Sequence, residues 1–184
     1  MPYRSALSYV LSSAIEPSVR TTSSRERFPR AALAALGETG LLGLTASAHL
    51  GGGGLGLHEA AEVVAEVSRT CPATAAVLRS HYAAVALIEA YGTPWIRRKV
   101  AAGHHLSTLA LTDGACDCEG GLASPKDSTA TRTGDVVALR ARKRDVVAAG
   151  EADSYIWSSR PADGGDRTAL WRDSHMLDDQ GEGP

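Results

Sequence analysis

The residues best placed to do chemistry fall in a few short stretches. Between Leu50 and Leu57 the chain reads LGGGGLGL, so Gly51, Gly53 and Gly56 satisfy G-x-G-x-x-G directly ahead of a helical run. A dinucleotide fingerprint needs a strand before the glycines and a carboxylate about twenty residues further on. Here a helix and the small-residue stretch TASA come first, and position 71 is Cys. The glycines are therefore read as a turn between two antiparallel helices, where glycine allows φ > 0 and close passage. HEAAE, from His58 to Glu62, lacks the second histidine of the zinc helix H-E-x-x-H and reads as an amphipathic surface. Cys116 and Cys118 have a single residue between them and no second pair, so a loop of small residues is preferred to a zinc or thiolate site. His81 lies inside the most apolar helix and reads as a hydrogen-bonded core residue. His104 and His105 follow Gly103, where partial positive charge suits a helix carboxyl end. No G-x-S-x-G marks a nucleophile elbow.

The elements that carry these residues change character along the chain. Up to about residue 106 the period is helical. Tyr3, Leu7, Val10, Leu11, Ala14 and Ile15 recur at helical spacing until Pro17, which is expected to stop them, and SVRTTSSRER is expected to follow as a loop. FPRAALAALGETG, GLHEAAEVVAEVSR, TCPATAAVLRSHYAAVALIEAYG and TPWIRRKVAAG each pair a start signal with a closing polar residue or glycine. The third is apolar almost all round and is expected at the centre of a bundle. After Leu106, LSTLALT, DVVALRARK, DSYIWSS and RTALWRD are short and rich in Val, Leu, Ile and aromatics, and read as strands. Five helices followed by four strands predict an α+β chain, a helical bundle followed by a small, mainly antiparallel β-domain.

Bulk properties narrow the function classes. A chain of 184 residues, 43% hydrophobic and 22% charged, describes a globular protein with a real core. A net charge of −2 gives no reason to expect nucleic acid or an anionic membrane as partner. The absence of a long apolar run or a signal-like amino terminus, together with three cysteines, predicts a reducing, cytoplasmic setting. The preference for Arg over Lys, with only Lys99, Lys126 and Lys143, points to a GC-rich bacterial source.

FPRAALAALGETGLLGL, GGGGLGLHEAAEVVAEVSR, SHYAAVALIEAYGTPWIRRKVAAG and LALTDG, in that order and spacing, resemble the amino-terminal part of the acyl-CoA dehydrogenase family. LRARKRDVVAAGEADSYIWSSRP resembles that family's central β-domain, so the likeness runs over roughly residues 1–172. While the polar composition of DDQGEGP predicts a disordered tail at 179–184, the resemblance implies a helical domain at 1–106, part of a middle β-domain at 107–178, and bound FAD. It also implies a carboxyl-terminal four-helix bundle, to which no stretch of this sequence corresponds.

By the same resemblance, Leu109, Leu111, Thr112, Asp113, Cys118, Asp145 and Val147 stand where the family holds its flavin and thioester. The family's T-E-P-G-A-G-S-D reads TDGACDCE here: Thr112 is kept, Asp113 replaces Glu, and Cys118 stands where a serine hydroxyl is expected. In the family's K-x-W-I/V-T/S, Lys143 matches, but Asp145 takes the tryptophan position and Val147 the hydroxyl position. Those two changes remove a stacking face and a hydrogen bond worth about 1 kcal/mol. The family's carboxylate base lies in the carboxyl-terminal bundle, and no glutamate of this chain matches it. The chain is therefore not expected to be an active dehydrogenase alone. A small open sheet also leaves edges that need a cover: the helical half, a second copy or a second polypeptide. Arg140, Arg142 and Arg144 in RARKR alternate onto one face, either a solvated edge or a contact for a CoA phosphate or an acidic partner.

Three readings stay open at this point. The first is a truncated or split enzyme half, completed by a partner chain into a FAD-dependent oxidoreductase acting on an acyl thioester of CoA or a carrier protein. The second is a non-catalytic relic of the fold. The third is a flavin-free thioester-binding cleft using Asp113, Asp145 or a histidine as acid or base.

Overall fold

The amino-terminal helix does not stop at Pro17. The computed structural model describes residues 2–21, 28–112, 128–133, 136–140, 142–161 and 168–173. In it α1 (Tyr3–Val10) passes into a π-helical turn (Leu11–Ile15) and continues as α2 (Glu16–Thr21). Pro17 falls in the first turn of that new segment, where a missing N–H is least costly, and the π turn just before it absorbs the change in the ladder. The first residues of the expected loop, 18–21, are thus helical, and 22–27 lie outside the described residues.

The next four helices begin and end close to their sequence signals. They are α3 (Arg30–Glu38), α4 (Leu57–Thr70), α5 (Pro72–Tyr91) and α6 (Pro94–Ala101). On α4, Ala60, Val63 and Val67 are buried, as the 3.6-residue period requires. They join Leu36, Leu41 and Leu78 in the main core, while Val85, Ile88, Ile96 and Val100 form a second cluster with Ile156 from the sheet. α5 is less central than its composition predicts: one side buries Leu78, His81, Tyr82, Val85 and Ile88, but Ala73, Arg79, Ala83, Ala86 and Ala90 face outward.

Two glycines bring α3 against the end of α6. A Cβ on Gly37 would lie 2.4 Å from the Gly103 carbonyl oxygen, and one on Gly103 would lie 2.8 Å from that of Gly37. Gly103 also sits at φ 75°, in the left-handed region that closes a helix.

Five strands follow where four are expected: β1 (Ser107–Ala110), β2 (Thr129–Thr133), β3 (Val136–Arg140), β4 (Ser154–Pro161) and β5 (Thr168–Asp173). The long β4 pairs in parallel with β1 and, at its far end, with β2, and antiparallel with β5. β2 and β3 form an antiparallel pair. The sheet is thus mixed, and β1 is anchored by β4 along its whole length, from Ser107 opposite Ser154 to Ala110 opposite Trp157. The basic run 140–144 is not a continuous strand: β3 ends at Arg140, and Lys143 makes an isolated bridge. No helix among the described residues is long and apolar enough to cross a membrane.

Candidate functional site

β1 leaves the sheet at Ala110 and carries Leu111, 49% exposed, and the exposed Thr112 out along the side of α5. Facing them is the segment 144–147. The Arg144 N–H donates to the Thr112 carbonyl at 2.9 Å, and Asp145 reverses the chain at φ 53°, a conformation that Asp tolerates better than most residues. Leu109, Leu111, Thr112, Asp145 and Val147 consequently line one groove of about 370 Å³, within the range of about 300–1,000 Å³ common to ligand sites. Asp113 and Cys118, like the rest of the Cys116–Cys118 stretch, lie outside the described residues. The third wall comes from α5 through Arg79, Ser80 and Ala83.

A relay of hydroxyls stitches these three walls together. The Leu109 N–H donates to Ser80 Oγ at 3.2 Å, Ser80 Oγ lies 2.8 Å from Thr108 Oγ1, and Thr108 Oγ1 donates to the Val147 carbonyl at 2.6 Å. Since the Thr108 hydroxyl proton goes to Val147, Ser80 is the donor in the middle link. On the opposite side Lys143 Nζ and Ser158 Oγ both reach the Leu111 carbonyl, at 3.4 and 3.0 Å. The groove's main-chain groups are therefore largely taken by the protein itself, which leaves recognition to side chains.

His81 fixes the start of β1 from below. It is fully buried, accepts from the Ser107 N–H at Nδ1 (3.1 Å) and so carries its proton on Nε2, which donates to the Leu42 carbonyl at 2.9 Å. Burial pushes its pKa down to about 4, so the ring is neutral near pH 7. Tyr82, the next residue, donates to the Leu41 carbonyl at 2.7 Å, and burial raises its pKa. The core reading of His81 holds. The end-cap reading of His105 does not: its ring is buried, 3.0 Å from Ser154 Oγ and edge-on to Trp95, so it belongs to the joint between α6 and the sheet.

The glycine loop is closed to phosphate. The N–H groups of Gly52, Gly53, Gly54 and Leu55 bond to the carbonyls of Ser47, Gly43, Ala46 and Leu44. The loop folds back on its own chain and has no row of free donors to offer. His58 pairs with Glu62 at 3.4 Å on α4, and no group of three metal-ligating side chains forms among the described residues. A larger groove of about 420 Å³ lies between α1 and α4, but Tyr3 and Arg4 already satisfy Glu62 there.

Residues 3–104 match the family description "acyl-CoA dehydrogenase, N-terminal domain". The chain belongs to the acyl-CoA dehydrogenase family. It is 25% identical over 147 residues to the short-chain specific acyl-CoA dehydrogenase of Clostridium acetobutylicum, covering 77% of this chain and 38% of that protein. The acyl-CoA dehydrogenase of Geobacillus kaustophilus superposes with a TM-score of 0.78 at 19% identity, over 94% of this chain and 47% of that one. TdsC from Paenibacillus sp. A11-2, solved with FMN and indole, gives 0.74 at 19% identity, over 94% and 44%. This family member thus spans less than half the length of the relatives it matches.

A flavin, the cofactor the family implies, finds complementary groups on one side of the groove only. Leu109 and Leu111 offer apolar surface, and the exposed Thr112 brings a hydroxyl with no partner among the described residues. Across from them Asp145 presents a carboxylate in place of a ring, and Val147 has no hydroxyl and a carbonyl already bonded to Thr108. Sequence reasoning missed Ser80, Thr108 and Arg79. The signal available was that Arg79 and Ser80 interrupt an otherwise alanine-rich stretch of α5.

Proposed function

We propose that this chain forms the amino-terminal part of a flavin-dependent oxidoreductase acting on an acyl thioester, with the groove as one wall of its active site and a further polypeptide supplying the rest. The observation that carries this reading is the convergence of β1, α5 and the segment 144–147 on one partly apolar groove in a chain of this family. Leu109, Leu111 and Ala83 bind hydrocarbon, and Thr112 and the ends of Arg79 and Arg144 orient the polar parts of the ligand. A flavin bound beside the groove would supply the hydride acceptor, and the Thr112 hydroxyl is the side chain that would hold it. Asp145 is the single carboxylate lining the groove among the described residues, and it is exposed. The base that removes the substrate proton therefore comes from the completing polypeptide.

The test is a visible absorption spectrum after adding excess FAD and desalting, on the chain alone and on the chain co-purified with its completing polypeptide. A flavin band retained in the complex and absent from the chain alone is the expected result. A folded complex that stays colourless sinks the flavoenzyme reading. The second reading, a flavin-free thioester-binding module, is favoured by Asp145 and Val147 and predicts thioester binding by a colourless protein.

A further inference from the structure

We propose that the acyl group received by this groove ends in a carboxylate, and that Arg79 is the side chain that recognises it. The inference rests on the thioester reading above and adds the substrate class. Arg79 lies in the middle of α5, eighth of its 20 residues, too far from either end to serve the helix dipole. The positions three and four residues away are Ala75, Ala76, Tyr82 and Ala83, so no carboxylate of α5 reaches it. Arg4, Arg30, Arg69 and Arg97 are matched to Glu62, Glu151, Glu66 and Glu89, whereas Arg79, like Arg98, Arg140, Arg142 and Arg144, has no such partner among the described residues, and of these only Arg79 and Arg144 line the groove. Glu89, the other charged residue of α5, is committed to Arg97 and Ser47. Burial alone raises the Glu89 pKa, but those two hydrogen bonds outweigh it and hold the carboxylate below its usual range.

Arg79 instead shares a groove with Leu109, Leu111, Ala83 and Val147, a run of hydrocarbon with a planar cation beside it. A plain alkyl chain in that groove leaves the exposed guanidinium beside it without a counter-ion. A carboxylate at the chain's end meets it in the two-pronged geometry that arginine favours. Arg144 adds a second positive charge and Asp145 offsets one of the two, so the groove keeps a net attraction for an anion.

The phosphates of coenzyme A are the other source of such an anion, and the test separates the two. Pentanoyl and 4-carboxybutanoyl thioesters of N-acetylcysteamine, which carry no phosphate, are titrated against the full chain by saturation-transfer NMR, with free coenzyme A as a third ligand. The expected result is that the carboxylated thioester binds about threefold to fivefold more tightly, as suits an exposed ion pair. That preference should vanish in Arg79→Gln and persist in Arg142→Gln. Equal binding of the two thioesters overturns the proposal and leaves the thioester site standing. A preference that survives Arg79→Gln overturns the assignment to Arg79. Free coenzyme A that outcompetes both thioesters, with binding lost in Arg79→Gln, gives the residue to phosphate and overturns the carboxylate. No saturation transfer from either thioester at millimolar concentration sinks the thioester reading as well.

Discussion

In the main core Leu36, Val63, Val67 and Leu78 meet as hydrocarbon, whereas α5 meets β1 through His81 on Ser107 and Ser80 on Thr108 and Leu109. The two regions adjoin on the same helix, yet they constrain the chain differently. Apolar packing has no direction and sets how much surface is buried. Hydrogen bonds from a rigid helix to successive residues of a strand set which residue sits where. A slip of β1 by one residue would turn Leu109 away from the groove and break every one of those bonds. The site is therefore positioned by the polar seam and stabilised by the core behind it.

Three changes test this division. Leu78→Ala, at a fully buried position, should cost the most, about 3 kcal/mol in urea denaturation, from lost transfer energy and the cavity left behind. A cost far below that would mean that the core does not carry the stability assigned to it. His81 should contribute a pH-dependent amount. Its folded pKa of about 4 lies below the unfolded value of about 6.5, so the unfolded chain gains a proton first as pH falls. Stability from the neutral ring is therefore complete above pH 6.5 and is lost as pH falls toward 4, by an amount on the order of 3 kcal/mol. His81→Gln cannot titrate, so the gap between it and the parent should narrow over that window; a constant gap would remove His81 from the account. Thr108→Val should cost least, about 1–2 kcal/mol for the Val147 carbonyl left without its donor. It should also weaken thioester binding more than Leu78→Ala does. The reverse order would place the control of the groove in the core.

The helical half was the more legible because its signals are local. Pro72 and Gly92 bracket α5, and the valines of α4 repeat at a helical period. Pro17 misled because a proline ends a helix only if its N–H was needed, and the π turn before it removed that need. β2 was missed because TATRT is polar; its signal was a threonine at every second position, Thr129, Thr131 and Thr133, three β-branched residues at strand period. In the groove, the family likeness marked Leu109, Thr112, Asp145 and Val147, whose motifs are contiguous. Ser80 and Thr108 lie 28 residues apart, and His81 is 39 from Leu42, so nothing in the local sequence ties the partners together.

The approach of Gly37 to Gly103 bears on how this chain can vary. Each glycine is the obstacle that the other's side chain would strike, and the obstructing atom in both cases is a backbone oxygen. Repacking cannot make room, because no neighbouring side chain can be shortened to relieve the clash. A change at one position cannot be rescued by a change at the other. The two positions are therefore closed to side chains together, as one constraint shared by two distant residues.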